Sequence, residues 1–231
     1  MESRPEPPPG AVNRQPLSRR SALAAALAVV DREGLEALTM RRLGNELGVE
    51  AMSLYHYVSS KHDLLDGVVD LAIEVIELPD PQLHWADWSR QFSRAYRRIA
   101  LEHPDVFRLI ALRPLTTAQA LRPVETALEV LRQAGFDGRH ALAAFQTLAN
   151  YTSGFALEEI AAAGGEGSPT IATLDADEFP RLHELARRPM KRDLGFERGL
   201  DIIVAGLTAQ LGVRDAPPST PRRTRRRRPP R

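Results

Sequence analysis

The chain of 231 residues contains no cysteine. Disulfide bridges, a thiolate nucleophile, a cysteine metal site and a thiol redox switch are therefore excluded. This composition fits a reducing compartment, and the sequence predicts a cytoplasmic protein with no membrane partner. Long hydrophobic runs are missing too, since no stretch reaches the roughly 18 apolar residues that a membrane-spanning helix needs. Hydrophobic residues still make up 43% of the chain, which is enough to bury a core.

Motifs of the common enzyme classes are also missing. No GxSxG motif occurs, and the glycine-rich stretch GGEGSP at 164–169 lacks the lysine and the preceding strand of a phosphate-binding loop. The histidines show no HExxH or other metal-ligand spacing; they are His56, His62, His84, His103, His140 and His183. The sequence thus predicts a protein that is not an enzyme and has no metal or other cofactor. A small helical enzyme or carrier is kept as the alternative from another class.

The stretch SRRSALAAALAVV at 18–30 resembles the charged start and apolar centre of an export signal. The apolar run is only about nine residues long and is followed by the charged DREGLE rather than by a small-residue cleavage site. At helical period its leucines and valines form one stripe, with Ser18 as the N-cap and Gly34 as the C-cap. We therefore interpret this segment as an amphipathic helix of the folded protein.

Residues 39–61, TMRRLGNELGVEAMSLYHYVSSK, contain two short helical patterns joined by a tight turn. Thr39 is a good N-cap for the first helix, and Leu43 and Leu47 are spaced so that they turn one face inward. Gly48 tolerates the left-handed conformation that ends many helices. This order of cap, apolar pair and glycine predicts the first half of a helix-turn-helix.

The second helix of this pair is expected over 51–57, with Leu54 and Val58 buried. The remaining side chains would point outward: Met52, Ser53, Tyr55, His56 and Tyr57. A helix of about seven residues cannot bury three consecutive aromatic or imidazole side chains, and exposing them without a partner is unfavourable. Hydroxyls, imidazoles and aromatic rings can contact phosphates, base edges and thymine methyl groups. We therefore interpret the segment as a DNA-reading helix rather than as part of a helical hairpin in an ordinary core.

The wider segment 17–70 resembles the N-terminal domain of the tetracycline-repressor (TetR) family. It has a first helix ending in EGLEALT, then the helix-turn-helix, then KHDLLD at the start of a long connecting helix. ALEVLRQAGFDGRHALAAF at 127–145 and FERGLDIIVAGLTAQL at 196–211 resemble the ligand domain of one subgroup of this family. The resemblance implies an all-α fold with an N-terminal three-helix helix-turn-helix DNA-binding domain and a C-terminal helical ligand-binding and dimerisation domain.

Composition and helical periodicity divide the chain into four parts. Residues 1–16 are proline-rich and predicted to be a disordered arm, 17–78 form the DNA-binding domain, and 79–212 form the helical domain. Residues 213–231 carry eight Arg and one Asp and are predicted to be a disordered tail. No strand pattern appears, and helices are expected at about 18–32, 39–47, 51–57, 60–77, 84–102, 105–112, 117–134, 137–163, 180–188 and 195–212. The tail is either a solvated extension or an electrostatic tether to DNA phosphates.

The resemblance assigns DNA contacts residue by residue. Two reading helices related by a two-fold axis would enter successive major grooves of a palindromic operator, about 34 to 36 Å apart. The protein would bind this double-stranded DNA as a homodimer. The resemblance places Thr39 and Arg41 at the start of the supporting helix, Ala51, Met52 and Ser53 against bases, Tyr55 and Tyr57 on phosphate or base, His56 on a base or sugar, and Lys61 on a phosphate.

The resemblance also implies an effector site and a dimer interface in the helical domain. Candidate effector-lining residues are Phe92, Tyr96, Phe107, Ile110, Arg113, Gln146, Asn150 and Tyr151, each of which is equally suited to a plain core. The polar and histidine positions that hold tetracycline and its magnesium in the family's namesake are not recognisable, so the effector is predicted to be another small molecule. The implied interface residues are Phe155, Leu200, Ile203 and Leu207, and the alternative is that their stripes form the core of one chain.

These observations together predict a ligand-responsive transcriptional regulator, a repressor that a small molecule releases from its operator. An activator, or a DNA-binding protein that responds to no ligand, fits the same sequence.

Overall fold

The computed structural model describes residues 17–164, 175–186 and 190–213. Within these ranges the protein is all helical and contains no strand, as the sequence predicts. A short 3-10 turn at Leu35–Ala37 accompanies the helices α1 Arg19–Glu33, α2 Met40–Leu47, α3 Ala51–Leu54, α4 Lys61–Glu74, α5 Trp85–Glu102, α6 Pro104–Leu112, α7 Ala118–Gln133, α8 Gly138–Ala163, α9 Pro180–Ala186 and α10 Arg192–Val213. The predicted N-terminal arm, most of the glycine-rich loop and the Arg-rich tail from 214 onward lie outside the described residues.

The helices begin where the local chemistry of the sequence allows. Ser18 and Ser21 form a reciprocal capping box at the start of α1. The Thr117 hydroxyl accepts from the amide of Ala120 at α7, and the Asp137 carboxylate caps α8 in the same way. These caps satisfy amide groups that have no partner inside the helix, which fixes the starting residue of each helix.

An apolar core holds α1 to α4 together and continues into α6. Its buried members in the N-terminal part include Leu23, Val29, Val30, Leu43, Leu54, Val58, Leu64 and Val68. Phe107 and Ile110 of α6 belong to the same cluster, as does Ile160 of α8. This core therefore extends past residue 79, where the sequence predicted the helical domain to begin. Movement of α6 is therefore coupled by direct packing to the N-terminal domain.

A second core lies between α5, α7, α8 and α10. Trp85 meets Phe136 edge to face at 5.3 Å between ring centroids, and Trp88 stacks on Phe92 at 5.1 Å. The buried indole of Trp88 donates to the carbonyl of Pro79 at 3.1 Å, so its polar group is satisfied. Within the described ranges, no helix combines the length and the apolar character needed to cross a membrane.

A row of ion pairs joins α5 to α10 on the surface of this second core. Arg90 pairs with Asp201 at 3.0 Å, and Arg94 pairs with Glu197 at 2.6 Å. Arg97 continues the row towards the interior. Because the acidic partners are spaced four residues apart on α10 and the arginines about one turn apart on α5, the row fixes the register between the two helices.

Candidate DNA-reading and effector sites

The turn between α2 and α3 depends on two glycines. Gly48 has φ 67°, in the left-handed region, and its N–H bonds to carbonyl groups of α2. A Cβ on Gly44 would lie 2.8 Å from the carbonyl oxygen of Val49, so only glycine lets the chain pass this close. The Thr39 hydroxyl caps α2 by accepting from the amide of Arg42 at 3.0 Å. The helix-turn-helix predicted from these residues is confirmed.

The reading helix is shorter than predicted. The α-helix covers only Ala51–Leu54, and residues 55–57 form a turn, whereas the sequence pattern predicted one helix over 51–57. The amides of Tyr57 and Val58 both donate to the carbonyl of Leu54, at 2.9 and 3.0 Å. Aromatic, imidazole and β-branched side chains favour the helix only weakly, which is consistent with its early end. Leu54 and Val58 are buried, as predicted.

The residues that the sequence assigned to DNA form one stretch from the start of α2 to the start of α4. Met52 is 72% exposed and Tyr55 is 45% exposed, so two large side chains of this stretch reach solvent. The remaining members are exposed or half-buried: Thr39, Arg41, His56 and Lys61 are exposed, and Ala51, Ser53 and Tyr57 are half-buried. The surface therefore offers hydroxyl, imidazole, aromatic and cationic groups to a partner.

Two neighbouring arginines on α2 have different roles. Arg42 bonds to Glu33 at 2.6 Å and to Glu46 at 2.7 Å, and Arg32 joins the same network. These guanidinium groups lower the pKa of Glu33 to about 2. Arg41 is exposed and makes no ion pair within the described part of the chain. Of the two arginines, Arg42 is neutralised by carboxylates of the same domain, whereas the charge of Arg41 is not.

An apolar cavity of about 130 Å³ lies between α4, α5, α7 and α8. Its lining residues are Ile73, Ile76, Phe92, Tyr96, Leu115, Ala120, Pro123, Val124, Phe145 and Ala149. Phe92 and Tyr96 were predicted to line the effector site. Tyr96 is the one lining residue with a polar side-chain group, and its hydroxyl accepts from the hydroxyl of Ser153 at 3.2 Å. Burial raises the pKa of Tyr96, so this hydroxyl stays neutral.

The other residues predicted to line the effector site lie outside this cavity. Phe107 and Ile110 are buried in the core shared with α1 and α4, where the ring of Phe107 packs 5.1 Å from that of Tyr96. Gln146 and Asn150 are exposed on the outer face of α8. The periodicity of α8 showed which residues share a face, but only packing shows which face meets the cavity.

Tyr151 lies on the far side of α8 from the cavity, against α10. Its hydroxyl donates to the carbonyl of Phe196 at 2.9 Å, and its ring stacks on that side chain at 5.7 Å. A Cβ on Gly199 would collide with the Tyr151 ring, so this glycine makes room for the tyrosine. Tyr151 thus stabilises the contact between α8 and α10.

The loop between α6 and α7 contacts both the cavity and α4. Leu115 lines the cavity. On the other side of the loop, Arg113 pairs with Asp66 at 3.3 Å, and the hydroxyl of Thr117 donates to the carboxylate of Asp70. A change in the cavity can therefore reach the connecting helix through this loop.

The residues assigned to the dimer interface differ in burial. In a single chain Leu200 is 0% exposed and Leu207 is 8% exposed, because both belong to the second core, whereas Phe155 and Ile203 are half-buried. A side chain without exposed surface has none left to bury against another protomer. For Leu200 the structure therefore corrects the expected role, because this side chain belongs to a core within one chain. Leu207 belongs to the same core and has little surface left for a partner.

α10 and α8 each also expose residues that do not belong to the second core. On α10, Ile202 is 73% exposed, and Ala205 and Gly206 are also exposed. On α8, Gly154 is exposed, and a Cβ there would meet nothing within 4 Å. Small residues such as Ala205, Gly206 and Gly154 let two backbones approach closely. Ile202 was missed because the apolar residues of α10 occupy more than one face.

Two family models match the chain. "Bacterial regulatory proteins, tetR family" matches residues 22–68, and "Tetracyclin repressor-like, C-terminal domain" matches residues 78–211, which is more than half of the sequence. The chain belongs to the tetracycline repressor family. The resemblance stated from the sequence is therefore confirmed. Regulators of the TetR family are ligand-responsive DNA-binding repressors that act as homodimers, and the predicted function is confirmed at this level.

Individual relatives span nearly the whole molecule. An HTH-type transcriptional regulator of Saccharopolyspora erythraea is 31% identical over 210 residues, covering 85% of this chain and 87% of that protein. The crystal structure of apo ActR from Streptomyces coelicolor has a TM-score of 0.75 at 33% identity, covering 86% of this chain and 98% of ActR. ActR in complex with actinorhodin has a TM-score of 0.74 at 32% identity, covering 84% and 97%.

Proposed function

We propose that this TetR-family protein represses transcription as a homodimer that binds a palindromic operator and leaves it when an uncharged, largely apolar effector occupies the cavity beside Tyr96. The observation that carries the proposal is the loop between α6 and α7, which contacts both this cavity and α4. The helix α4 begins directly after the stretch of residues assigned to DNA, which we call the reading surface. The protein would act in the cytoplasm, where its operator lies. An activator with the same two sites would differ only in the consequence of binding DNA.

The reading surface supports a division of labour among the DNA contacts. Met52, Tyr55 and His56 are exposed on α3 and the following turn, where they can meet base edges in a major groove. Lys61 and Arg41 are exposed cations at the starts of α4 and α2, where they can meet phosphates. Phosphate contacts provide affinity for any sequence, whereas base contacts provide the preference for one sequence.

This division predicts different effects for two single substitutions. Lys61→Ala should weaken binding to all duplexes and lower the slope of log affinity against log salt by about one unit. His56→Ala should cost roughly 1 to 3 kcal/mol on the preferred duplex and little on random DNA, because a base contact is lost. Fluorescence anisotropy with a labelled preferred duplex and a random duplex, at several salt concentrations, measures both effects. Equal losses on the two duplexes for both variants would contradict the assignment.

The lining of the cavity supports an effector class. Nine of its ten lining residues are apolar, and the tenth offers one neutral hydroxyl. A charged or metal-chelated ligand would lose its hydration there without gaining a charged partner, which is unfavourable. An aromatic ligand would instead stack against Phe92, Tyr96 and Phe145. The complex of ActR with actinorhodin supports a small-molecule site in this fold.

The loop between α6 and α7 supports a route from effector to DNA. A ligand that pushes Leu115 outward would shift the loop, and with it the contacts of Arg113 to Asp66 and of Thr117 to Asp70. Because α4 begins at Lys61, directly after the reading turn, a tilt of α4 changes the separation of the two reading surfaces in the dimer. The effector then favours a state that no longer fits both grooves.

Filling the cavity tests the effector site. Ala149→Phe places a ring inside the cavity, and we expect the compound either to have no effect on its operator affinity or to be needed at a concentration at least about tenfold higher. Ala162→Phe, on the exposed end of the same helix, is the matched control and should respond normally. The probes are uncharged fused-ring aromatic compounds that release a labelled duplex from the wild type, with magnesium tetracycline as the negative comparison. A normal response of Ala149→Phe would place the effector elsewhere.

A further inference from the structure

The first residue of α1 is bonded to the turn that follows the reading helix. Nη1 of Arg19 donates to the carbonyl of Tyr57 at 2.9 Å and to Oδ2 of Asp63 at 3.1 Å, and Nη2 donates to Oδ1 of Asp63 at 2.6 Å. Asp63 also accepts from the amide of Ser59 at 2.7 Å and from its hydroxyl at 3.1 Å. One guanidinium and one carboxylate thus join the start of α1, the end of the turn and the start of α4.

This bonding differs from what the sequence around α4 suggests. Ser60 and Asp63 have the spacing of a capping box, and the hydroxyl of Ser60 does accept from the amide of Asp63 at 3.1 Å. The carboxylate of Asp63 bonds instead to Ser59 and to Arg19, which is 44 residues away along the chain. The acidic residue therefore stabilises the turn as well as the helix that it begins.

The turn depends on such contacts because α3 is so short. Four helical residues cannot maintain their own geometry in water, since helix nucleation is unfavourable. Leu54 and Val58 anchor the segment from inside, but the intervening residues 55–57 are exposed or half-buried. The bond from Arg19 holds the carbonyl of Tyr57 from the outer side. The side chains of Tyr55, His56 and Tyr57 project from the backbone between these anchors.

The charge of Arg19 is matched within the chain. Its bidentate contact with Asp63 raises the pKa of Arg19 and lowers that of Asp63, so both groups stay ionised. Lys61, by contrast, makes no ion pair within the described residues. A guanidinium that already serves a carboxylate and a carbonyl has few donors left for a phosphate. The geometry of Arg19 thus fits a role in holding the turn better than a role in attracting DNA.

We propose that Arg19 and Asp63 are positioning residues for sequence reading, which hold residues 55–59 in the geometry that fits the operator without contacting DNA themselves. The inference rests on the proposed DNA-reading function of α3 and its turn. It assigns part of the operator selectivity to a contact outside the helix-turn-helix.

The substitution Asp63→Asn separates positioning from simple electrostatics. Removing a negative charge near the DNA surface should strengthen binding to any duplex if only charge matters. If Asp63 positions the turn, binding to the preferred duplex should instead weaken by about tenfold or more, because a charge-assisted hydrogen-bond pair is lost. Binding to a random duplex of equal length should stay the same or become tighter. The two explanations therefore predict changes of opposite sign on the preferred duplex.

The experiment uses the full chain and a preferred duplex that the wild type selects from a random-sequence pool. Arg19→Lys keeps the charge but lacks the planar guanidinium that makes two parallel hydrogen bonds to Asp63, so it should also lose selectivity. Arg20→Gln is the matched control, because Arg20 pairs with Glu74 of α4 at 2.9 Å but does not contact the turn, and it should keep wild-type selectivity. Retained binding to the random duplex shows that the variants are folded, since an unfolded domain would lose both duplexes.

Three results would overturn the proposal. The first is an Asp63→Asn variant that binds the preferred duplex as tightly as the wild type or more tightly. The second is an Arg19→Lys variant with wild-type selectivity. The third is an Arg19→Gln variant that weakens both duplexes equally and lowers the salt slope by about one unit, because Arg19 would then be a phosphate contact. A wild type that selects no duplex would overturn the proposed function itself, which distinguishes that failure from failure of the positioning role alone.

Discussion

Replacing Ile202 with Glu is expected to give a folded monomer that has lost tight operator binding. Ile202 is 73% exposed in a single chain and lies on the face of α10 that also exposes Ala205 and Gly206. In a two-fold symmetric dimer the same substitution occurs on both sides of the interface. Burying an unpaired carboxylate costs several kcal/mol per site, so we expect the dimer to dissociate at micromolar concentration. Light scattering after gel filtration gives the mass directly.

Leu200→Glu is the matched comparison on the opposite face of the same helix. Leu200 is 0% exposed in the second core, so a carboxylate there should unfold the helical domain rather than separate two folded chains. Circular dichroism and a thermal melt distinguish these outcomes. A dimeric Ile202→Glu variant would show that the interface uses another face. A folded, monomeric Leu200→Glu variant would return the interface to the stripe that contains Leu200.

Glu159→Ala is expected to lower the free energy of unfolding by about 3 to 5 kcal/mol. Glu159 accepts from Nη2 and Nε of Arg97, at 2.5 and 2.6 Å, and the side chains of Glu159 and Arg97 are only 8% and 12% exposed. The guanidinium carbon lies 4.7 Å from the centroid of the Phe196 ring. Without Glu159 this cation remains largely buried between α5, α8 and α10, with only its outer contact to satisfy it. Urea denaturation measures the loss.

That outer contact provides the control. Asp193 also bonds to Arg97, at 2.7 Å, but its side chain is 85% exposed. Water can replace an exposed partner, so Asp193→Ala should cost less than about 1 kcal/mol. Comparable losses of unfolding free energy for the two variants would show that burial does not increase the contribution of the Glu159–Arg97 pair to stability. Neither substitution alters the reading surface, and the operator affinity of the folded protein should stay unchanged.

The fold followed from the sequence largely because its signals are local. Ser18, Thr39 and Gly48 fix helix ends through bonds to backbone groups within a few residues, and each was assigned from the sequence. The end of α3 was not assigned correctly, because the predicted helix extends to residue 57. The spacing of apolar residues alone does not show where a helix ends when its last residues favour the helix only weakly.

The sites were predicted less completely, because their members are chosen by packing. The effector site was predicted in the helical part of the chain, where the apolar cavity lies, yet of its predicted lining residues only Phe92 and Tyr96 meet that cavity. The resemblance to the family named Gln146 and Tyr151 of α8 as candidates. It could not show that the first is exposed and that the second packs against α10.

The sequence by itself determined the helical class, the helix-turn-helix and the family, because caps, glycines and apolar spacing act over a few residues. Tertiary structure decided which face of α10 is core: this helix is apolar on more than one side, and only packing against α5 and α8 buries Leu200 and leaves Ile202 outside. It also decided that Arg42 pairs with Glu33 and Glu46, that Arg41 makes no ion pair within the described residues, and that Asp63 reaches Arg19. These choices depend on contacts between residues far apart in the chain, and no local pattern encodes where such partners meet.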